Sequence, residues 1–419
     1  MKDFRTPFVV LVQFRVLAFL AVAALCVTLS SNVIAATPLA EPVVARVEMK
    51  LAVDEKVVDV IEQGDLLTVL EESEDEYVIL THGGSKGAIA KVHAARIAES
   101  GDIYSELILK NPDEGRYYTL RASSWWALGK AEEALQDFDR AIELGYTQSH
   151  AYTSRGLFHA EMGNFDEAIA DYDKAISIDP EDLAPVINRA AVYVSRGDYL
   201  KAVDDYTLVL EKRGESGALL HQRAIALKAA GKLEEAAEDF DAILSSNPDD
   251  YAAVMGRGYV RFQQQEYEQA VVDFAAAIEL NPENAVAYNN RGYNRYQIEQ
   301  FEGALEDYNQ AIRLAPNYGL ALQNRAWLLA TVKDQTLRDP SAAVNSAKKA
   351  CELSNYDNVG DLSALAASLA ANGEFADAVG WQEKVVDLVA GPYKDFTTKT
   401  LKRYQDERPF AADPDKANA

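Results

Sequence analysis

From about residue 98 onward the apolar positions fall at helical spacing and recur as a block. Ala134, Ala168, Ala202, Ala236, Ala270 and Ala304 stand 34 residues apart. Four positions after each comes an aromatic, Phe138, Tyr172, Tyr206, Phe240, Phe274 or Tyr308, and three further on Ala141, Ala175, Val209, Ile243, Ala277 or Ala311. Steps of four and three lie on one stripe of a helix. A second amphipathic segment precedes each alanine and ends at a polar or glycine turn, such as Met162-Gly163-Asn164 or Arg196-Gly197-Asp198. Pro180, Pro248, Pro282 and Pro316 close units, because proline has no N–H with which to continue a helix. Each unit therefore predicts helix, turn, helix, break. The small alanine column lets two helices approach closely, and the aromatic fills the gap to the next pair.

Upstream the period changes. Val57–Ile61, Leu66–Leu70 and Tyr77–Leu80 are short β-branched or aliphatic runs split by turn residues, Gln63-Gly64-Asp65, Ser73-Glu74-Asp75 and His82-Gly83-Gly84-Ser85. They predict strands in a small domain over residues 41–97. Residues 1–36 differ again: Lys2, Arg5 and Arg15 precede an uncharged apolar run, Val16–Leu29, followed by Ser30, Ser31, Asn32 and Val33-Ile34-Ala35-Ala36. A basic start, an apolar middle and small residues at the end make an export signal, with cleavage expected after Ala35 or Ala36. The alternative is an uncleaved inner-membrane anchor over residues 16–36, long enough at about 20 residues per span. Either way the protein is expected to be exported, periplasmic or envelope-associated.

Charge and cysteine content narrow the partners. The 66 Asp and Glu against 41 Lys and Arg give a net charge of -25. Loss of residues 1–36 removes a net +2 (three cations against Asp3), so the mature charge is -27. Nucleic acid is excluded as a partner, since phosphate backbones require clustered cations. Another protein or peptide, in the cell envelope, is expected instead, with a membrane contact only if the first segment stays uncleaved and the cell wall as an alternative. Cys26 lies in the export segment after the bulky Leu25, which disfavours a lipoprotein signal, and Cys351 is left without an intramolecular partner.

The repeat resembles the tetratricopeptide repeat family. The likeness is carried by stretches such as Ala287-Tyr288-Asn289-Asn290-Arg291-Gly292 through Ala304-Leu305-Glu306-Asp307-Tyr308 to Pro316. It covers residues 98–390: six gap-free units starting near Gly115, Ser149, Leu183, Gly217, Tyr251 and Ala285, a seventh from Gly319 with a longer loop at Val332–Ser341, and an eighth from Val359. The resemblance implies a mainly α fold, a right-handed superhelix of about eight helical pairs that serves as a protein-binding scaffold. The strand segment resembles a bacterial SH3-like barrel, through Gly64-Asp65-Leu66-Leu67-Thr68-Val69-Leu70, Tyr77 and Gly87-Ala88-Ile89, although Ala88 stands where that family usually has Trp. Tyr77 is its one aromatic between residues 41 and 98, so packing or spacing is favoured over ligand binding. A capping helix is expected over 391–410, with Phe396, Leu401 and Tyr404 covering the last pair, and a disordered tail over 411–419.

Two charged columns share the period. Arg121, Arg155, Arg189, Arg223, Arg257, Arg291 and Arg325 recur on the first helix, and Asp137, Asp171, Asp205, Asp239, Asp273 and Asp307 on the second. A ladder of free arginines would suit an anionic ligand. One Asp per Arg over six units favours pairing that locks register instead, with Arg325 as the exception because Ser346 replaces its Asp.

The resemblance also implies that one face of each first helix lines a concave groove. Lys228 is the only charge carried onto that face, so a clamp for acidic peptides is disfavoured. The candidate ligand residues are the aromatics Tyr259, Phe262, Tyr293, Tyr296 and Trp327 with the amides Gln263, Asn289, Gln297 and Gln323. They suit an extended apolar or mixed peptide, the rings supplying area and the amides satisfying its backbone. The same bulk suits packing between successive first helices, and both readings stand at this point.

Enzymatic signals are weak. Gly83-Gly84-Ser85-Lys86-Gly87 fits the G-x-S-x-G pattern, but that chemistry needs a strand-to-helix elbow, and here strand-like runs flank it. A hydrolase is the remote alternative. The five histidines form no H-E-x-x-H pair, and His150 and His221, on first helices, suit surface placement better than a groove role. No catalytic residue, metal or cofactor is expected.

Overall fold

The computed structural model describes residues 42–53 and 56–410. The export segment 1–36, with Cys26, and the tail 411–419 lie outside the described residues. By its internal contacts the chain divides into two compact units, residues 1–214 and 215–419.

The first unit opens with a small β region: β1 (Val43–Ala45), β2 (Met49–Val53), β3 (Lys56–Ile61), β4 (Leu66–Glu72), β5 (Glu76–Leu80), β6 (Lys86–Ala90) and β7 (Ala94–Arg96). Five strands form an antiparallel sheet in the order β6-β5-β4-β1-β7, and β2 pairs with β3 as a separate ribbon. Alternation sends Leu67 and Val69 of β4 and Tyr77 and Ile79 of β5 inward, onto Val43, Ala45, Leu51 and Ile61. Helix α1 (Gly101–Lys110) ties this region to the helices that follow. Tyr104 is buried among Val44, Ala95, Ile97 and Leu107, and its hydroxyl donates to the Gly64 carbonyl at 3.1 Å. Gly64 is required there twice over: its φ is +89°, and a Cβ would lie 2.6 Å from Leu107 Cδ1.

Helical pairs make up the rest of the first unit: α2 (Gly115–Ala127) with α3 (Ala131–Glu143), α4 (Ser149–Glu161) with α5 (Phe165–Ile178), and α6 (Ala184–Arg196) with α7 (Tyr199–Arg213). The second unit contains α8 (Gly217–Ala229) with α9 (Leu233–Ser246), α10 (Tyr251–Gln263) with α11 (Tyr267–Leu280), and α12 (Ala285–Gln297) with α13 (Phe301–Leu314). It continues with α14 (Gly319–Thr331) and α15 (Pro340–Leu353), α16 (Val359–Ala371) and α17 (Phe375–Leu388), and a single α18 (Pro392–Gln405). Among the described residues no helix is long and apolar enough to cross a membrane.

The periodic columns are the core. The six alanines from Ala134 to Ala304 are fully buried, and so, within 2%, are Phe138, Tyr172, Tyr206, Phe240, Phe274 and Tyr308. Truncating one such aromatic to alanine removes contacts worth about 3–5 kcal/mol. Apart from the longer α14–α15 loop, turns between paired helices use a left-handed residue, glycine at Gly129, Gly163, Gly197, Gly231 and Gly373 but Gln265 and Glu299 in two pairs. First helices start on side-chain caps where they have them: Asp250 accepts from the Ala253 N–H and Asn284 from those of Val286 and Ala287.

The two charged columns meet face to face. Arg121 grips Asp137 through Nε and Nη2 at 2.7 and 2.8 Å, and Arg155–Asp171, Arg189–Asp205, Arg223–Asp239 and Arg291–Asp307 repeat the fork. Arg257 reaches both oxygens of Asp273 in the same way. Second carboxylates join from the preceding pair: Asp139 on Arg155, Asp173 on Arg189 and Asp241 on Arg257. Hydrogen bonds donated to Asp137 and Asp171 hold Arg121 and Arg155 above their ordinary range. Arg325 differs. Ser346 Oγ takes its Nε and Nη2, Asn309 stands where the preceding pair supplies an acid elsewhere, and burial pushes the guanidinium down.

The cap departs from expectation. Its helix ends at Gln405 rather than running to Phe410, and Thr397, Thr400 and Tyr404 face inward. Leu401 is half-buried, but Phe396, one turn before Thr400 at the start of the helix, is 54% exposed. Gln382 is buried beneath and donates to the Thr397 carbonyl at 3.0 Å.

Two histidines on first helices are half-buried. His150 shares a 2.6 Å hydrogen bond with the Tyr146 hydroxyl, His221 lies edge-on to Phe240, and burial pushes both below the usual 6.5.

Two outcomes follow from these contacts. Asp307→Ala strands Arg291 and Arg295 and is expected to cost about 3 kcal/mol, whereas Ser346→Asp supplies the missing partner of Arg325 and is expected to gain about 1 kcal/mol. Urea midpoints check both, and a loss of stability in Ser346→Asp contradicts the pairing argument. The histidines bind protons more readily unfolded than folded, so their contribution is complete above pH 6.5 and is lost as the pH falls below it. The urea midpoint should therefore drop between pH 7 and pH 5, and less steeply in the His150→Gln, His221→Gln double variant.

Candidate functional site

In the second unit the helices α10, α12, α14 and α16 present one face each, and the candidate ligand residues divide on it into packing pieces and cavity walls. Tyr259 is a packing piece. Its ring lies edge-on to Phe274 at 5.5 Å, its hydroxyl accepts from Asn290 Nδ2 at 2.8 Å, and Lys228 Nζ sits 5.6 Å from its centroid. With burial pushing the amine down, Lys228 is spent over that ring. Phe262 meets Tyr293 edge to face at 5.5 Å, bridging α10 to α12. Gln263, at the end of α10, is exposed.

Asn289 does not offer its amide to a ligand. It is 1% exposed, accepts from Asn324 Nδ2 at 3.0 Å and donates to Asn290 Oδ1. Burial pushes the neighbouring Tyr318 hydroxyl up to about 12, so it stays protonated beside the Asn289 amide. These amides stitch α12 to α14 rather than standing free. The position that should read a peptide backbone is consumed in holding two first helices together.

The remaining candidates converge. Tyr293, Tyr296, Gln297, Gln323 and Trp327 line a cavity of about 250 Å³ together with Tyr308, Asn324, Gly360 and Ala364. Tyr296 is braced by Phe301 at 5.5 Å, and Gly360 leaves room for Gln323, whose Nε2 would lie 2.8 Å from any Cβ there. The result is a slot lined by four aromatic side chains and three amides. Asn290 and Asn324, one period apart, and Gly360 were not singled out from the sequence, although the recurrence of Asn at one repeat position was a usable signal. Phe410 was missed too: its ring lies 5.0 Å from that of Trp327, and nothing in the local sequence announces this.

The other candidates occupy ordinary settings. Ser85 follows the β5–β6 turn and leads into β6, not a helix, with its hydroxyl 3.4 Å from the Val58 carbonyl and His82 exposed beside the turn. Cys351 is a free, buried thiol that burial pushes up to about 12. Within the first unit a larger cavity, about 970 Å³, separates β-region residues such as Asp59 and Thr81 from Arg116, His150, Asp182 and Lys212. Charges of both signs line it without converging on one point.

Comparison with known proteins agrees with the geometry. The tetratricopeptide repeat family matches residues 86–148, 150–182, 221–285 and 285–318. No curated protein matches the chain. Among solved structures, a likeness is found to YrrB, a TPR protein with an unusual peptide-binding site, at 26% identity and a TM-score of 0.39, over 44% of this chain and 95% of that one. Others are a tetratricopeptide repeat protein from Parabacteroides merdae (21% identity, 55% of this chain and 91% of that one, TM-score 0.39) and MamA from Desulfovibrio magneticus (22% identity, 42% and 98%, TM-score 0.39). At these TM-scores the likenesses add nothing to the repeat geometry itself. Matched spans, buried columns and paired helices together show that this chain carries tetratricopeptide repeats.

Proposed function

We propose that this chain is an exported, non-enzymatic scaffold that holds an extended segment of a partner protein against the cavity of α12, α14 and α16. Tetratricopeptide repeat proteins are generally protein-interaction scaffolds, which supplies the class. The observation that carries the site is the convergence of Tyr293, Tyr296 and Trp327 with Gln297 and Gln323 on one cavity. Aromatic walls give contact area at small entropic cost, and the lining amides can meet the N–H and C=O groups of an extended chain. Lys228, the one cation expected on this face, is occupied by Tyr259, so the ligand class is apolar or mixed rather than acidic. Net charge of -25 acts at longer range, disfavouring acidic partners before contact.

Export, with an envelope or periplasmic location, rests on the basic and apolar pattern of residues 1–36. The second reading, an envelope-structural role in which an SH3-like barrel touches cell wall, has less support: Tyr77, the aromatic it would need as a platform, is 7% exposed with Lys91 over its ring.

Peptides selected from a displayed library on the wild-type chain provide the test. Tyr293→Ala, Tyr296→Ala and Trp327→Ala combined are expected to weaken their binding at least about tenfold, as loss of clustered aromatic anchors does, with the helical circular dichroism retained. Unchanged affinity in a folded triple variant overturns the assignment.

A further inference from the structure

Beyond α18 the chain reverses and comes back onto the first helices. Glu407 adopts φ +52°, a left-handed conformation uncommon outside glycine, and the Arg408 N–H closes onto the Arg403 carbonyl at 3.0 Å. Arg403 Nε then donates to the Pro409 carbonyl at 2.6 Å, and Arg408 pairs with Asp406 at 2.6 Å. Proline fixes its own φ, so the residue after it is aimed by three constraints in a row. That residue is Phe410. Its ring is tilted against Trp327 at 5.0 Å and lies 6.3 Å from Phe396. Trp327 is also a wall of the cavity described above. A non-helical Pro-Phe segment of the protein itself therefore sits on the aromatic anchor proposed for the partner.

We propose that the Trp327 position accepts an aromatic side chain carried on an extended, proline-containing segment, and that Asp406–Phe410 is a built-in competitor for it. The inference rests on the groove reading above and adds two statements, the chemistry of the ligand and its displacement of the chain's own segment. Docking Phe410 covers Trp327 when no partner is present, which keeps a large apolar ring from open water. An intramolecular segment acts at an effective concentration of about millimolar, so only a segment with further contacts along the cavity displaces it.

The test uses the full chain, as wild type and as Phe410→Ala, with Phe410→Trp as a second variant that keeps an aromatic ring. Peptides are selected from a displayed random library on Phe410→Ala. They are expected to carry an aromatic residue, to bind wild type and Phe410→Trp at least tenfold more weakly than Phe410→Ala, and to lose binding when Trp327→Ala is added to Phe410→Ala. Equal affinity for wild type and Phe410→Ala overturns the competitor role while leaving the groove reading intact, and a lower melting temperature with equal affinity reduces Phe410 to a stabiliser of the cap. Peptides indifferent to Trp327→Ala, or no selected binder at all, overturn the groove reading and this inference together.

Discussion

A carboxylate buried at the same depth in successive helical pairs is the constraint on which the helical part of this structure turns. Taking an aspartate out of water costs several kcal/mol unless a cation meets it with good geometry. The fork of a guanidinium, held at fixed height on the preceding helix, does so in one register only. Asp137 and Arg121 set that register for their pair, and Asp139, two residues further along the same helix and so on its other side, passes it on to Arg155. Apolar burial supplies the bulk of the stabilisation, through columns such as Ala134, Phe138 and Ala141, but alanine and aromatic surfaces tolerate sliding. The charged forks do not. The mostly acidic composition of the second helices thus has a structural component as well as a solvating one.

Where the charge ladder lapses, the character of the surface changes. Arg325 meets a hydroxyl and an amide instead of acids, its helix α14 carries Trp327, and the neighbouring α12 is held by an amide network of Asn289, Asn290 and Asn324. Between α12 and α14 the contacts are neutral, while the Arg291–Asp307 fork still holds α12 to its own partner helix. Neutral hydrogen bonds are weaker individually than charge-assisted ones, and a face that must receive a ligand gains by not surrounding it with fixed charges of one sign.

Much of this architecture was legible in the sequence because it is periodic. A residue type that recurs every 34 positions is visible without knowing the fold, and the Arg, Asp, Ala and aromatic columns all satisfy that condition. What could not be read depends on contacts without a period. The sheet order β6-β5-β4-β1-β7 joins strands far apart in sequence, so the runs around Leu66 and Tyr77 announced strands but not their neighbours. Asn289 was taken as a free amide because its repeat position faces the groove, whereas its partners Asn290 and Asn324 bury it. Phe410 was assigned to a capping helix, and the left-handed turn at Glu407 that detaches it uses a residue with no turn preference.

The central claim is that partner binding is read out at Trp327, on the face of the first helices. The protein has four tryptophans, Trp125, Trp126, Trp327 and Trp381, so indole N–H resonances of a tryptophan-labelled sample resolve the question in one titration with a bound peptide. The account predicts that the Trp327 resonance shifts on binding while those of Trp125, Trp126 and Trp381 hold still. A peptide that moves any of those three and leaves Trp327 in place contradicts it.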